Sequence, residues 1–529
     1  MSRWVTRLYP FFFALVPILN YAASNPDQFG FGDLAFMVAM VLAGCGLVYA
    51  LAALLVGRRG PAALPPFVAL VGVGWFYGYH WLGAKIAGGG AGTDPPHAIL
   101  VPAGLLLCAA LLWWIRRREA LLVGAGRFLT LMSALLVGWS AIQMGSWWLR
   151  GRDAIGKSAL AAELARPIEG PPAAPEPRRD IYVIVLDEYA NSQVLRERLE
   201  YDNRPFEDSL RALGFHVPSL VRSNYAHTLL SLPSMLNSAH LTGLERELGP
   251  RNKNPTLPNY LLEHNRVASY LEARGYRYVF FPSHWWHSTS GSAIADVVFQ
   301  PWTGFDFMRT MTAGELQRTV RGATILHYFG RNHRWEAEHT RRTFAGLTEV
   351  ARDDAPVFVF AHLLKPHGPY VFDRECGTLP RAREEDHEEP YREQVECINR
   401  MLLQTVGEIL RTSKVPPIII LQGDHGTKFL GAPGYRRAEQ VPPAAARERL
   451  GAFGAYYLPD GGAAAFGDTV TVVNVLGNVL RHYFGAQLPR AGDEQYISST
   501  DFPYVFRKVD ARWLAGDDSA DTVLLRAGR

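Results

Sequence analysis

The stretch IIILQGDHGTKF, Ile418–Phe429, runs through Ile and Leu and turns polar at Asp424 and His425, with a Gly following at once. A short apolar run of this kind reads as a buried strand. A carboxylate and an imidazole at its end need a reason, because charge taken out of water needs a partner. One reason is a capping Asp beside an incidental His. The other is a site, since ligands gather beyond the carboxyl ends of strands in sheets covered by helices.

Working outward, the same half of the chain offers further strands: IYVIVLD (181–187), YRYVFFPS (276–283), VFVFAHL (357–363) and GAFGAYYLP (451–459). Between them lie PNYLLEHNRVASYLEARGY (258–276) and REQVECINRMLLQTVGEILRTS (392–413), where apolar residues recur at three- and four-residue steps. Strands alternating with helices predict an α/β fold with a mostly parallel central sheet covered on both faces.

The first 150 residues are different. Hydrophobic residues make up 48% of the 529-residue chain and charged ones 20%, but nearly all the charge lies beyond position 150. Stretches 4–22, 34–56, 65–83, 98–115 and 126–148 are each near the roughly 20 apolar residues that span a bilayer. Arg3, Arg7, Arg58, Arg59, Arg116, Arg117, Arg118 and Arg127 fall in alternate loops, while the two loops between them hold only Lys85; Arg150, Arg152 and Lys157 after the fifth stretch oppose this bias and are outweighed by it. Basic loops stay cytoplasmic. The amino terminus is therefore expected in the cytoplasm, and five spans would put the polar half outside. The expected organisation is a transmembrane domain over 1–150, a Pro-rich spacer over 151–179, a catalytic domain over 180–510 and a tail over 511–529. A net charge of +4 with no concentrated basic arm argues against a nucleic-acid partner. Cys45 and Cys108 fall in apolar runs, whereas Cys376 and Cys397 lie in the polar half, where an oxidising compartment would let them pair.

Three further places carry chemistry. In IVLDEYAN, Asp187 and Glu188 follow a strand; a carboxylate there also caps helices. In FAHLLKPHGPYVF, His362 or His367 can be a packed histidine, but His367 between two prolines in a loop is a poor core residue. In SNYAHTLLSLPSMLN, Thr228 and Ser231 precede an apolar helical stretch and are natural caps. Alternatively, one of these hydroxyls sits at a helix start beside a metal, which would activate it as a nucleophile, and the helix terminus would hold a phosphate. Asp187, Asp424, His425 and Thr228 make an oxygen-rich four-ligand set.

The order LDEY, NYAHTLLSLPSMLN, KPHGPY, GDHG resembles the alkaline phosphatase superfamily. More closely it resembles the sulfatase-fold, membrane-anchored head-group transferases, the lipoteichoic acid synthases and phosphoethanolamine transferases, which also place five spans before an extracytoplasmic domain. The resemblance implies an α/β/α sandwich for the catalytic domain and a bacterial inner-membrane location, with that domain periplasmic. It implies that Asp187, Asp424 and His425 are metal ligands, that Thr228 is a nucleophile touching the metal, and that His367 binds the donor phosphate or assists the leaving group. One divalent ion is implied, zinc or manganese, with magnesium or calcium as alternatives. FDREC…QVECINR is similar to the Cys-containing loop of phosphoethanolamine transferases and supports a Cys376–Cys397 bridge. PSHWWHS would line the substrate site through His284, Trp285 and His287, and Asn224 is counted with them. The chain also departs from the pattern. Ser231-Leu232-Pro233-Ser234 is similar to the sulfatase signature, but Met235 stands where that signature has Arg, so Ser231 is an alternative nucleophile. Glu188 can replace or join Asp187 on the metal.

The expectation is metal-dependent transfer of a phosphoethanolamine- or phosphoglycerol-type head group from a membrane phospholipid to a cell-envelope glycan or lipid, through a phospho-threonine. The alternatives are a sulfatase or phosphodiesterase using the same residues, and a non-catalytic envelope scaffold.

Overall fold

The computed structural model describes residues 7–26, 29–57, 61–86, 97–115, 118–283, 289–301, 315–328, 332–350, 355–383, 387–431 and 434–516. They form two compact units, 1–150 with 305–330, and 151–304 with 331–529.

Apolar helices occupy all five N-terminal stretches: α1 (Tyr9–Ser24), α2 (Phe31–Val56), α3 (Leu64–Ile86), α4 (His97–Ile115) and α5 (Glu119–Lys157). Five spans is nevertheless more than these helices support. Among the described residues only α2 and Ala120–Lys157 are long and apolar enough to cross a membrane. The 16 residues of α1 rise about 24 Å, short of the roughly 30 Å hydrocarbon layer. In α3, Pro65, Pro66 and His80 lower the hydropathy.

The first unit also contains a segment the sequence reading left in the catalytic region. Helix Glu315–Ala323 buries Leu316 and Val320 in the core of α1–α3. Gln317 Nε2 donates to Asp33 Oδ1 at 2.9 Å and Thr319 Oγ1 to Tyr21 Oη at 3.1 Å. One apolar pair four residues apart is too weak a signal to reveal such a helix in a sequence.

The second unit is built on strands β1 (Ile181–Leu186), β2 (Leu220–Arg222), β3 (Arg277–Phe281), β4 (Val297–Val298), β5 (Val357–Leu363), β6 (Tyr370–Phe372), β7 (Thr378–Arg383), β8 (Ile418–Gly423) and β9 (Gly454–Tyr457). Six of them make one sheet in the order β4-β3-β5-β1-β8-β9. All neighbours are parallel except β8 and β9. Strand β1 is central and wholly buried because both its faces are covered. Ile181, Val183 and Val185 point into one core with Leu232, Met235 and Leu236 of helix Thr228–Asn237. Tyr182, Ile184 and Leu186 point the other way, toward Tyr391, Val395, Ile398 and Leu402 of helix Glu388–Thr412. This two-residue alternation of side chains is what lets one strand serve two cores.

The Pro-rich spacer is partly ordered. Ser158 caps helix Ala159–Leu164 by accepting from Ala161 N, and its hydroxyl donates to Glu247 Oε2 at 2.5 Å. At the other end, Trp513 and Leu514 lie past the expected domain limit at 510, yet are buried with Ala445 and Leu450.

Candidate active site

The register of the sheet assembles the site. Leu186 of β1 is paired with Leu363 of β5 and Gly423 of β8, so the residues that follow all land on one edge. Asp187 N donates to Leu363 O at 2.9 Å and Asp424 N to Leu186 O at 3.4 Å. The glycines bracketing Asp424-His425 are there for space. A Cβ on Gly423 would lie 2.4 Å from Tyr189 O, and one on Gly426 would lie 2.0 Å from Glu448 O.

Helix Thr228–Asn237 begins at this edge. Its cap residue is His227, whose Nε2 meets Ser498 O at 3.1 Å. Thr228 is therefore the first helical residue rather than the cap, and its Oγ1 lies 3.0 Å from His425 Nε2. Ser231, one turn on, is buried, and its hydroxyl donates to Asp424 O at 2.7 Å.

Asp187 Oδ1, Asp424 Oδ2 and His362 Nε2 are buried and have no hydrogen-bond partner among the described residues. One ligating atom from each of these residues lies within 4.8 Å of the other two. Thr289 Oγ1 meets the other ring nitrogen of His362 at 3.3 Å. Burial pushes the Asp187 carboxyl well above its ordinary range, and the neighbouring Asp424 and Glu188 add to the shift. Burial also raises Asp424, to about 6, against the pull of the Thr228 hydroxyl, the Glu188 N–H and Arg449. The His362 imidazole is held down to about 3, chiefly by burial and then by His367. Paired carboxylates without water are unfavourable, and a neutral imidazole beside them offers a lone pair. Two carboxylate oxygens and one imidazole nitrogen suit a zinc- or manganese-like ion.

His425 sits beside this cluster but is shared. Its Nε2 lies 3.1 Å from Asp424 Oδ2, 3.8 Å from Asp187 Oδ1 and 3.1 Å from Arg449 Nη2. Its Nδ1 faces Gly426 O at 3.1 Å, which assigns the proton to Nδ1 and the lone pair to Nε2. Arg449 is spread over Glu188 Oε1, Gly426 O and Ala226 O at 2.7–2.8 Å. Burial, then Arg449, holds the His425 imidazole well below its usual range.

Glu188 is in the left-handed region at φ 62° and pairs with Arg449. Its Oε2 lies 3.5 Å from His367 Nε2 and 3.9 Å from Lys428 Nζ, and that lysine stands 3.3 Å from the same imidazole nitrogen. His367 N donates to Asp187 O at 3.1 Å, which ties the loop to the site. Asn224 serves as scaffold: Nδ2 donates to Glu494 O at 2.8 Å and Oδ1 accepts from Val473 N at 2.9 Å. His284, Trp285 and His287 lie outside the described residues. Cys376 and Cys397 are joined in a disulfide, with Cα atoms 5.0 Å apart.

The structure thus brings together Asp187, Thr228, Asp424 and His425, with Glu188 and His367 alongside. Sequence reasoning offers His362 only as a packed histidine, because it lies inside β5 rather than after it. Lys428 adjoins the GDHG motif and was passed over. Arg449 gave no signal, because ARERL reads as a solvated helix end.

No family model matches this sequence, and no curated protein matches it. Among solved structures, the chain is similar to the C-terminal periplasmic domain of EcEptC from Escherichia coli in complex with Zn. That alignment has 14% identity and TM-score 0.44, over 66% of this chain and 99% of that one. It is also similar to the integral membrane protein lipooligosaccharide phosphoethanolamine transferase A (EptA) from Neisseria meningitidis, at 13% identity and TM-score 0.40, over 90% and 95%. The lipoteichoic acid synthase LtaP from Listeria monocytogenes aligns at 10% identity and TM-score 0.38, over 65% and 83%.

Proposed function

We propose that the chain is a metal-dependent transferase that moves a phosphoethanolamine- or phosphoglycerol-type head group from a membrane phospholipid to a cell-envelope glycan or lipid. The observation that carries this reading is the Thr228 hydroxyl at a helix start, 3.0 Å from His425 and beside the unpartnered donor atoms of Asp187, Asp424 and His362. A hydroxyl so placed is a nucleophile with an acceptor for its proton.

Asp187, Asp424 and His362 would hold one divalent ion, zinc or manganese, with Thr228 and His425 adjoining it. When bound, that ion lowers the pKa of the Thr228 hydroxyl and offsets charge on the phosphoryl oxygens. Thr228 Oγ1 attacks phosphorus, and the bond from phosphorus to the diacylglycerol oxygen breaks. The hydroxyl proton passes to His425 Nε2. His367, partly exposed between Lys428 and Glu188, returns a proton to the departing diacylglycerol oxygen. The acceptor oxygen then attacks phosphorus while its proton passes to His367, the bond from phosphorus to Thr228 Oγ1 breaks, and His425 returns its proton to that oxygen. Lys428 and Arg449 supply fixed positive charge to the phosphate.

Multi-pass anchoring, with the amino terminus cytoplasmic and the second unit on the outer face of a bacterial inner membrane, places the catalytic unit where a lipid donor is found. The distribution of arginines supports this arrangement, which takes an odd number of crossings, one more than α2 and α5 supply. The sulfatase alternative loses support at Ser231, because its buried hydroxyl is spent on Asp424 O and faces Ser223 Oγ at 3.2 Å. The test is mass spectrometry of the Thr228 peptide after the detergent-solubilised protein meets phosphatidylethanolamine or phosphatidylglycerol in separate reactions. We expect a phosphoethanolamine or phosphoglycerol mass on Thr228, with diacylglycerol released. Diacylglycerol release with no adduct, or an adduct or formylglycine at Ser231, would overturn the assignment.

A further inference from the structure

A second charged feature lies on the same unit, outside the cluster described above. Arg251, Lys253, Arg436 and Arg437 converge with Asp501 and Phe502 on an open cleft of about 550 Å³. The cations come from two segments far apart in sequence, and one carboxylate faces four of them. Lys253 Nζ donates to Asp501 Oδ1 at 2.8 Å. That contact, with Arg436 adding a smaller pull, holds the Asp501 carboxyl below its ordinary range. Among the described residues, Arg251, Arg436 and Arg437 form no ion pair. Four cations around a single carboxylate leave the cleft net positive, which favours an anion from outside the chain. A guanidinium fork matches phosphate or carboxylate oxygens two at a time.

The cleft is also joined to the nucleophile. Asp501 and Phe502 in its wall lie on the segment that follows Ser498. Ser498 O holds His227 Nε2 at 3.1 Å, and His227 is the cap residue directly before Thr228. Ser499 Oγ donates to Arg436 O at 3.0 Å, so one loop contacts both the cationic strip and the start of the nucleophile helix. The volume falls in the range of small-molecule sites and exceeds what a bare phosphate needs. Phe502 adds a half-buried apolar surface beside the charges, which suits the face of a sugar ring.

We propose that this cleft is a docking subsite for an acidic saccharide, one bearing phosphate or carboxylate groups. Its role in presenting the acceptor to Thr228 rests on the transferase reading above; its binding chemistry does not.

The test uses the full-length protein in detergent and isothermal titration with four probes: pentamannosyl phosphate, neutral mannopentaose, oligogalacturonate and inorganic phosphate. Vesicles of phosphatidylglycerol form a fifth arm. We expect pentamannosyl phosphate, oligogalacturonate or both to bind at least about tenfold more tightly than mannopentaose and inorganic phosphate. Preference for the first identifies phosphate as the recognised acid, and preference for the second identifies carboxylate. Arg436→Glu with Arg437→Glu should abolish that preference while the bound-metal content stays unchanged, and Arg251→Gln should weaken it severalfold. Thr228→Ala should leave binding intact, so failure of the nucleophile assignment is separable from failure of the cleft. Equal binding of mannopentaose, equal binding of inorganic phosphate, binding to the vesicles alone, or unchanged binding in the double variant would each overturn the proposal.

Discussion

Two buried charged clusters lie close together along β5 and the loop after it, and they are built in opposite ways. Lys365, three residues beyond His362, is as buried as any core leucine. Its three protons nevertheless find Glu336 Oε1 at 2.6 Å, Pro369 O at 3.1 Å and His367 O at 3.4 Å. Gln394 completes the loop by donating to Pro366 O and His367 O, both at 3.0 Å. Asp187, Asp424 and His362, by contrast, each retain a buried atom with nothing to bond. The difference teaches how to tell scaffold from site. A satisfied buried pair holds a loop in place, whereas an unsatisfied one has been left open for something that arrives later.

The contrast can be broken at either cluster. Thr228→Ala should reduce head-group transfer about 10^4-fold or more, followed by diacylglycerol release, with the melting temperature and metal content nearly unchanged. Transfer at the wild-type rate would remove Thr228 from the chemistry. Lys365→Met should act on stability instead: the half-buried Glu336 loses its cation and the Pro369 and His367 carbonyls lose a donor, at a cost of about 3 kcal/mol, read as a lowered melting temperature. A variant that melts normally would show that this pair is no scaffold. Asp187→Asn should weaken zinc binding by at least about 100-fold, yet melt no lower than wild type in chelator, because it removes one of two crowded carboxylates. Loss of stability in chelator would instead mark Asp187 as structural. The smallest effect is expected for Ser231→Ala, about 0.5–1.5 kcal/mol for one lost hydrogen bond, because Ser223 Oγ still donates to Asp424 O at 2.6 Å; transfer should be largely kept. Complete loss of activity there would revive Ser231 as the nucleophile.

Much of this contrast was legible in the sequence, for physical reasons that also mark where legibility ends. Strands β1, β5, β8 and β9 announced themselves because residues buried on both faces must be apolar throughout, and the polar residues at their ends stood out against that background. Asp187, Asp424, His425 and Thr228 were found in this way. His362 was not, because it lies inside its strand rather than after it, and only the register with Val185 shows that it reaches the same edge. Arg449 comes from helix Pro443–Leu450, where two arginines and a glutamate in eight residues look like a surface, and only tertiary structure turns Arg449 and Glu448 inward. The N-terminal spans were over-counted. Composition marks a stretch as apolar, but bilayer crossing also needs helical length and hydropathy that α1 and α3 do not show among the described residues. Helix Glu315–Ala323 was invisible because its partners lie almost 300 positions earlier in the chain.

The central claim is that Asp187, Asp424 and His362 converge to hold one divalent cation beside Thr228. Anomalous diffraction at the zinc edge, from crystals of the full-length protein grown with zinc, tests it most directly. The account predicts a single strong peak on the second unit, about 2.0–2.2 Å from a carboxylate oxygen of Asp187, one of Asp424 and Nε2 of His362. A map with no peak among those three side chains, or with the ion bound elsewhere on this unit, would contradict it.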